Sequence, residues 1–193
     1  MRTRTLAWTL AIITFAVPFV SLAQSQALAA ALLPLPEILR GEAEIVQLDD
    51  AGQPKVLRNG TNGMVCMADR PGDNQFDVRC YHKDFIPVVY RAFQLRSGEK
   101  VAAEIKVGKL KLSTKPTAGY RCFGPASGYD SSTNHVTADI ECWQSIHFPF
   151  QTSREIGLPD EADIPKHLQR TVPYVMSSGK YWSHVMIRHQ DGK

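Results

Sequence analysis

Several features that would point directly to a function are missing from this chain. It has no Cys-x-x-Cys pair, no run of lysines or arginines, and no Gly-x-Ser-x-Gly, His-Glu-x-x-His, phosphate-loop or dinucleotide-binding signature. Without paired cysteines at short spacing, a thiolate zinc site has no framework. Without a basic run, nothing can track a phosphate backbone, which excludes a nucleic-acid partner. Without the four signatures, the familiar hydrolase, zinc-protease and nucleotide-enzyme classes have no sequence support. No repeat array, low-complexity tract or linker splits the chain, so it reads as one domain after its N-terminal segment.

That segment has its own logic. Arg2 and Arg4 precede an apolar run from Leu6 to Val20 broken only by Thr9, Thr14 and Pro18, and small residues come next. This is the order of a secretory signal peptide. Ser21 and Ala23, or Ser25 and Ala27, suit the positions three and one before a cut, so cleavage is expected near 23 or 27. Residues 1–27 are then the signal and 28–193 a single globular domain. The run is shorter than the ~20 apolar residues of a membrane span, so no stable membrane anchor remains after cleavage. No Arg-Arg pair favours the twin-arginine route, and no cysteine stands after the run to accept a lipid. Loss of Arg2 and Arg4 leaves 20 basic residues against 19 acidic ones, a net of +1. The basic balance of the whole chain therefore belongs partly to targeting.

The four cysteines, Cys66, Cys80, Cys122 and Cys142, all lie beyond it. An even number in an exported chain reads as disulfides. Two stretches help to pair them. Asp77-Val-Arg-Cys-Tyr81 matches Asp139-Ile-Glu-Cys-Trp143, each with a proline seven residues after the cysteine and a glycine (Gly63, Gly119) three residues before the upstream cysteine. Each unit reads as a β-hairpin, with 13 and 19 residues between its cysteines. Alternation puts Val78 and Cys80 on one face and Asp77, Arg79 and Tyr81 on the other; Ile140 and Cys142 share a face opposite Asp139, Glu141 and Trp143. Cysteines across a hairpin can meet at disulfide spacing, which pairs Cys66 with Cys80 and Cys122 with Cys142. Each closed loop contributes about 3 kcal/mol in the chain-entropy model.

Ahead of Cys66 stand two Asn-Gly pairs, Asn59-Gly60 and Asn62-Gly63. Strands are expected over 43–48 and 54–58, with a turn at 49–53. One Asn-Gly then makes a tight hairpin turn, and the two together make a compact loop that aims Cys66 at its partner. The functional alternative is a backbone nest for an anion. Asn59-Gly60-Thr61 is also a glycosylation sequon.

This arm, with Met64 before Val65-Cys66, and the late Ser183-His-Val-Met-Ile187 stretch resemble small exported bacterial proteins. Those carry a Gly-Thr-Asn-Gly-aromatic-x-Cys arm and a late His-x-Met-Ile strand. The resemblance covers roughly 35–81 and 149–187. It implies export and fold; no activity comes with it.

Elsewhere, Ile86–Leu110 has helical spacing, with Val89, Ala92 and Phe93 on one face and Val101, Ile105 and Val107 on another after a break at Ser97-Gly98. Pro87 suits a first helical position. Thr152 and Glu155 form a capping box for a short helix ending at Gly157. The last strand, Tyr181–His189, places Val185 and Ile187 toward the core, with Trp182, His184 and Met186 on the opposite face. Those three are the ligand-binding candidates, because imidazole and thioether suit copper(I). The fold expected is α+β: a mostly antiparallel sheet with two disulfide-stapled hairpins and a few short helices. The function expected is that of an exported, non-catalytic binding or structural module of the cell envelope. It would have no catalytic residue and no cofactor, and its partner would be a small molecule or an envelope component. The alternatives are a small exported hydrolase and a periplasmic copper(I)-binding protein.

Overall fold

The computed structural model of the chain describes residues 22–70 and 72–188. The basic start and apolar run of the expected signal lie outside these residues. Two helices come first, Leu22–Ala31 (α1) and Glu37–Arg40 (α2). Strands then form at Glu44–Leu48 (β1), Pro54–Arg58 (β2), Met64–Met67 (β3) and Gln75–His82 (β4). Pro87 in the first turn opens Ile86–Leu95 (α3), and Ser97 caps Gly98–Lys106 (α4) by accepting the Lys100 N–H at 3.3 Å. Then come Thr117–Pro125 (β5), the small ribbon Tyr129–Asp130 (β6) with His135–Val136 (β7), and Glu141–His147 (β8). Ser153–Ile156 (α5), Tyr174–Met176 (β9) and His184–Arg188 (β10) complete the described chain. The capping box of Thr152 and Glu155 forms at α5, and Gly157 ends it with φ of 78°.

One eight-stranded sheet holds the order β2-β1-β3-β4-β5-β8-β10-β9. Every neighbouring pair in it is antiparallel except β1 with β3. The α+β class with a mostly antiparallel sheet is therefore the observed one. Cys66 lies directly opposite Cys80, and Cys122 opposite Cys142, with Cα atoms 4.0 and 4.1 Å apart, and both disulfides are formed.

The disulfides share one face of the sheet. There Ile45, Met64, Cys66, Cys80, Phe76, Val78 and Cys122 pack under Ala30, Ala31 and Leu35 at the end of α1 and just beyond it. α1 runs through both expected cleavage positions, and its role as a cover for the cysteines has no counterpart in the sequence expectation. On the opposite face, Val46, Val65, Met67 and Tyr81 pack against Phe85, Ile86 and Val89 of α3 and its approach. Removing an aliphatic or aromatic side chain of this size from water stabilises by roughly 1.5–3 kcal/mol.

The Asn-Gly run is not a hairpin turn. β2 and β3 flank β1 on opposite sides, so the connection must pass over the end of β1. Thr61 N–H donates to the Glu42 carbonyl at 2.7 Å, and the Asn62 amide donates to the Leu39 carbonyl at 2.7 Å while its oxygen accepts from Met64 N–H at 3.0 Å. At the crossing the backbones nearly touch: a Cβ on Gly60 would lie 2.1 Å from Glu44 N and 2.5 Å from the Ala43 carbonyl carbon. Gly60 is thus required by close approach, and Gly63 by its φ of 78°. Asn59 is exposed.

Three further expectations are corrected. Val107, expected on the buried side of its helix, is 76% exposed, because α4 ends at Lys106. Asp139 and Ile140 lie in the turn before β8 rather than in a strand. The last strand is not one-sided. β10 sits between β8 and β9, and His184, Val185 and Met186 are all buried.

Candidate functional site

Period two in β4 points Asp77, Arg79 and Tyr81 to the helix side, away from Cys80. α3 lies over that side and brings Phe93 above Arg79, whose guanidinium carbon is 5.1 Å from the ring centroid. α3 stops at Arg96, which adopts the left-handed conformation with φ of 48° and turns the chain sharply into α4. On the far side, a turn containing Ser177 (φ 53°) and Gly179 (φ 72°) returns the chain as Lys180-Tyr181-Trp182. Between these walls lies a cleft of about 850 Å³.

Its lining combines two chemistries. Phe93, Tyr181 and Trp182 supply flat apolar surface, while Arg70, Arg79, Arg96 and Lys180 supply positive charge against, among the described residues, the single carboxylate of Glu99. Arg70 and Arg96 are steadied from the rim, donating to the carbonyls of Asp49 at 2.5 Å and Asp50 at 2.8 Å. Arg79 lies deepest, with its side chain 19% exposed. Its carboxylate partner, Asp77, is shared. Arg121 grips Asp77 with two 2.8 Å hydrogen bonds, and Arg79 bonds the same group. Two guanidiniums thus face one carboxylate. Burial, together with the charge of Arg121, pulls the Arg79 pKa down to about 10, against an opposing pull from Tyr81.

Behind Trp182 is a closed aromatic cluster. His147 has its ring centroid 4.2 Å from that of Phe85, 5.6 Å from Tyr81, 5.8 Å from Trp182 and 5.0 Å from His184. Gly119 leaves room for it, since a Cβ there would come within 2.7 Å of Ser145 Oγ and 3.0 Å of His147 Nε2. Ser145 Oγ and His147 Nε2 are 3.3 Å apart, and His147 Nδ1 has no partner among the described residues. His184 Nδ1–H donates to the Trp182 carbonyl at 2.7 Å. Burial, with the neighbouring His184 adding to it, pushes His147 down to about 3; burial also lowers His184, partly offset by its bond to Trp182.

Of the residues singled out in the sequence, Trp182 forms part of the cleft wall and His184 stands behind it. Met186 is buried one pleat further along β10, opposite Ser145 and Tyr174. Asn59, Gly60, Asn62 and Gly63 cross the start of β1, whereas Arg70 meets the chain just after its end; the Asn-Gly loop takes no part in the cleft. Among the described residues no group of three or more His, Cys, Asp or Glu side chains is placed to hold a metal ion. Sequence reasoning missed Arg79, Phe93, Arg96, Lys180 and His147. A signal for one of them was available: an arginine in a strand, facing the side that the next amphipathic helix must cover.

These features define a disulfide-stapled sheet protein with a basic, aromatic-walled cleft. No family model, curated protein or solved structure matches the chain.

Proposed function

We propose that this protein is an exported, non-catalytic binding module of the cell envelope whose cleft holds a small molecule. The observation that carries the reading is the cleft itself. Its volume lies within the ~300–1,000 Å³ of small-molecule sites, and it joins apolar walls to a few charged groups, as such sites do. Export is supported by the two disulfides and by the order of the N-terminal residues. Among the described residues, no helix is long and apolar enough to cross a membrane. Cleavage after Ala23 or after Ala27 leaves Ala30, Ala31 and Leu35 in place over the disulfides, so either expected cut is compatible with the fold.

The test is a ligand library screened by thermal shift on the purified, oxidised protein, because a ligand that binds only the native state raises its apparent stability. Binders are expected, and Trp182→Ala should abolish their shifts. A library without a single Trp182-dependent binder would overturn the reading. Exported hydrolysis ranks second, on the 3.3 Å pair of Ser145 and His147. Both residues are buried and neither lines the cleft. Ester hydrolysis lost on Ser145→Ala would promote that alternative. Copper(I) binding ranks third: His184 and His147 stack, and Nδ1 of His184 is already bonded.

A further inference from the structure

Resting on the proposed role of the cleft in binding, we infer that its ligand is an anion on a flat apolar body, such as an aromatic carboxylate or sulfonate. Three observations converge on the anion. Arg79, Arg96, Arg70 and Lys180 reach the cleft from four separate segments, β4, the α3–α4 break, the loop after β3 and the turn before β10, so their meeting is a product of the fold rather than of a local charge run. Among the described residues, Glu99 is the one carboxylate that lines the cleft with them. The deepest cation, Arg79, shares Asp77 with Arg121 and so stands under-neutralised with most of its side chain buried. A positive charge held in such a place is unfavourable until an anion joins it, and a charge-assisted hydrogen bond there is stronger than at the open surface.

The apolar half of the ligand is set by the walls. Phe93 and Trp182 present aromatic surface beside the cations, and Trp182 is braced from behind by Phe85 at 5.0 Å and Tyr81 at 6.3 Å. A braced ring loses little freedom when a flat ligand stacks on it. A free phosphate or sulfate would leave this surface uncovered, and a neutral aromatic would leave Arg79 uncompensated. The anionic group belongs at Arg79 and Arg96, with the flat body running along Phe93 and Trp182.

Isothermal titration of the oxidised protein with three matched probes tests this: 2-naphthoate, its neutral carboxamide, and 2-naphthylmethylammonium. The carboxylate is expected to bind roughly tenfold or more tightly than the amide, since a hydrogen bond to a charged group contributes ~1.5–3 kcal/mol. The ammonium should not bind. Arg79→Gln should remove most of the preference for the carboxylate, with Asp77 still paired to Arg121. The exposed double variant Arg96→Gln/Lys180→Gln, which leaves the core untouched, should weaken the carboxylate and spare the amide. Equal binding of carboxylate and amide overturns the anion inference while the cleft remains a binding site. Failure of all three probes, where library compounds still give Trp182-dependent shifts, also overturns it. Failure of probes and library together removes the cleft reading itself.

Discussion

Tyr81 and Trp143 each stand just after a disulfide cysteine within the repeated Asp-[Val/Ile]-x-Cys-aromatic pattern, and both face the helix side of the sheet, yet their surroundings differ. Tyr81 is 7% exposed and packs against Phe85, His147 and Trp182. Trp143 is half-buried and stacks with guanidiniums, Arg121 at 5.3 Å and Arg188 at 5.9 Å. The difference arises downstream of each proline. After Pro87 the chain makes the ten-residue α3, which lies back over β4; after Pro149 it makes only the four-residue α5. The two aspartates diverge in the same way. Asp77 lies in a strand and anchors two arginines, whereas Asp139 is exposed in a turn. A repeated cysteine pattern therefore fixes two strand pairs, while the helix laid over one of them decides where a cleft forms.

The strongest way to break this comparison is to truncate one aromatic in each half. Phe85, fully buried, should lose about 3–5 kcal/mol on replacement by alanine, and Trp143→Ala about 1 kcal/mol or less. Urea unfolding measures both, and equal losses would mean that the open half is covered in solution.

Removing the disulfides comes next. The sequence separations are 14 and 20 residues. Double alanine replacement should cost about 3 kcal/mol for either pair from loop entropy alone, with the longer loop slightly ahead. Cys66 and Cys80 are both fully buried, whereas Cys142 is only half-buried. Packing therefore reverses that order, and the Cys66–Cys80 pair should cost more. Its loss should also lower the melting temperature further.

Within the covered half, Gly60→Ala should lose about 3 kcal/mol because the crossing chains have no room for a methyl group. Gly63→Ala should lose about 1 kcal/mol from its positive φ alone. A melting temperature less sensitive to Gly60 than to Gly63 would reject the crossing as the reason for the first glycine.

The smallest effect concerns acid. Between pH 6.5 and about 3 the unfolded chain protonates His147 and the folded one does not. This contribution to stability is therefore complete above pH 6.5 and falls with added acid, by about 1.4 kcal/mol per unit. Asp69 acts in the opposite sense. Burial, with help from Asp73, raises it to about 6, so the folded state holds its proton between about 6 and 3.8. The difference between wild type and His147→Phe isolates the histidine: from pH 7.5 to 5 the wild type should lose about 2 kcal/mol more than the variant.

Sequence pattern was sufficient where the physics is local. The alternation of Val78, Cys80 and their neighbours gave β4 and its faces. Pro87 and the Ser97-Gly98 break gave two helices, and Thr152 with Glu155 gave a cap. The disulfide pairs came from hairpin reach. What depends on the path of the chain in space was not legible. Two Asn-Gly pairs look alike in a hairpin and in a crossing, so the placement of β3 beside β1 could not be read. Alternation puts His184 on the face opposite Val185 and Ile187, but it names two sides of a strand without saying what covers each. The cleft draws on residues 70, 79, 96 and 180, and no spacing rule connects those. His147 lies 37 residues before His184, and it is the antiparallel register of β8 with β10 that stacks the two rings.

The position of β10 has a further consequence, for a chain that emerges from its N-terminus. β9 is made before β10 but, among the described residues, has β10 as its one strand neighbour in the sheet, apart from a single bridge between Asp160 and Val175. β8 likewise keeps one side unpaired until residues 184–188 arrive. One wall of the cleft, Lys180-Tyr181-Trp182, is held by the same late strand. Synthesis thus sets a clock on the cleft: the first 180 residues can close both disulfide hairpins, but the cleft gains its second wall only with the last strand.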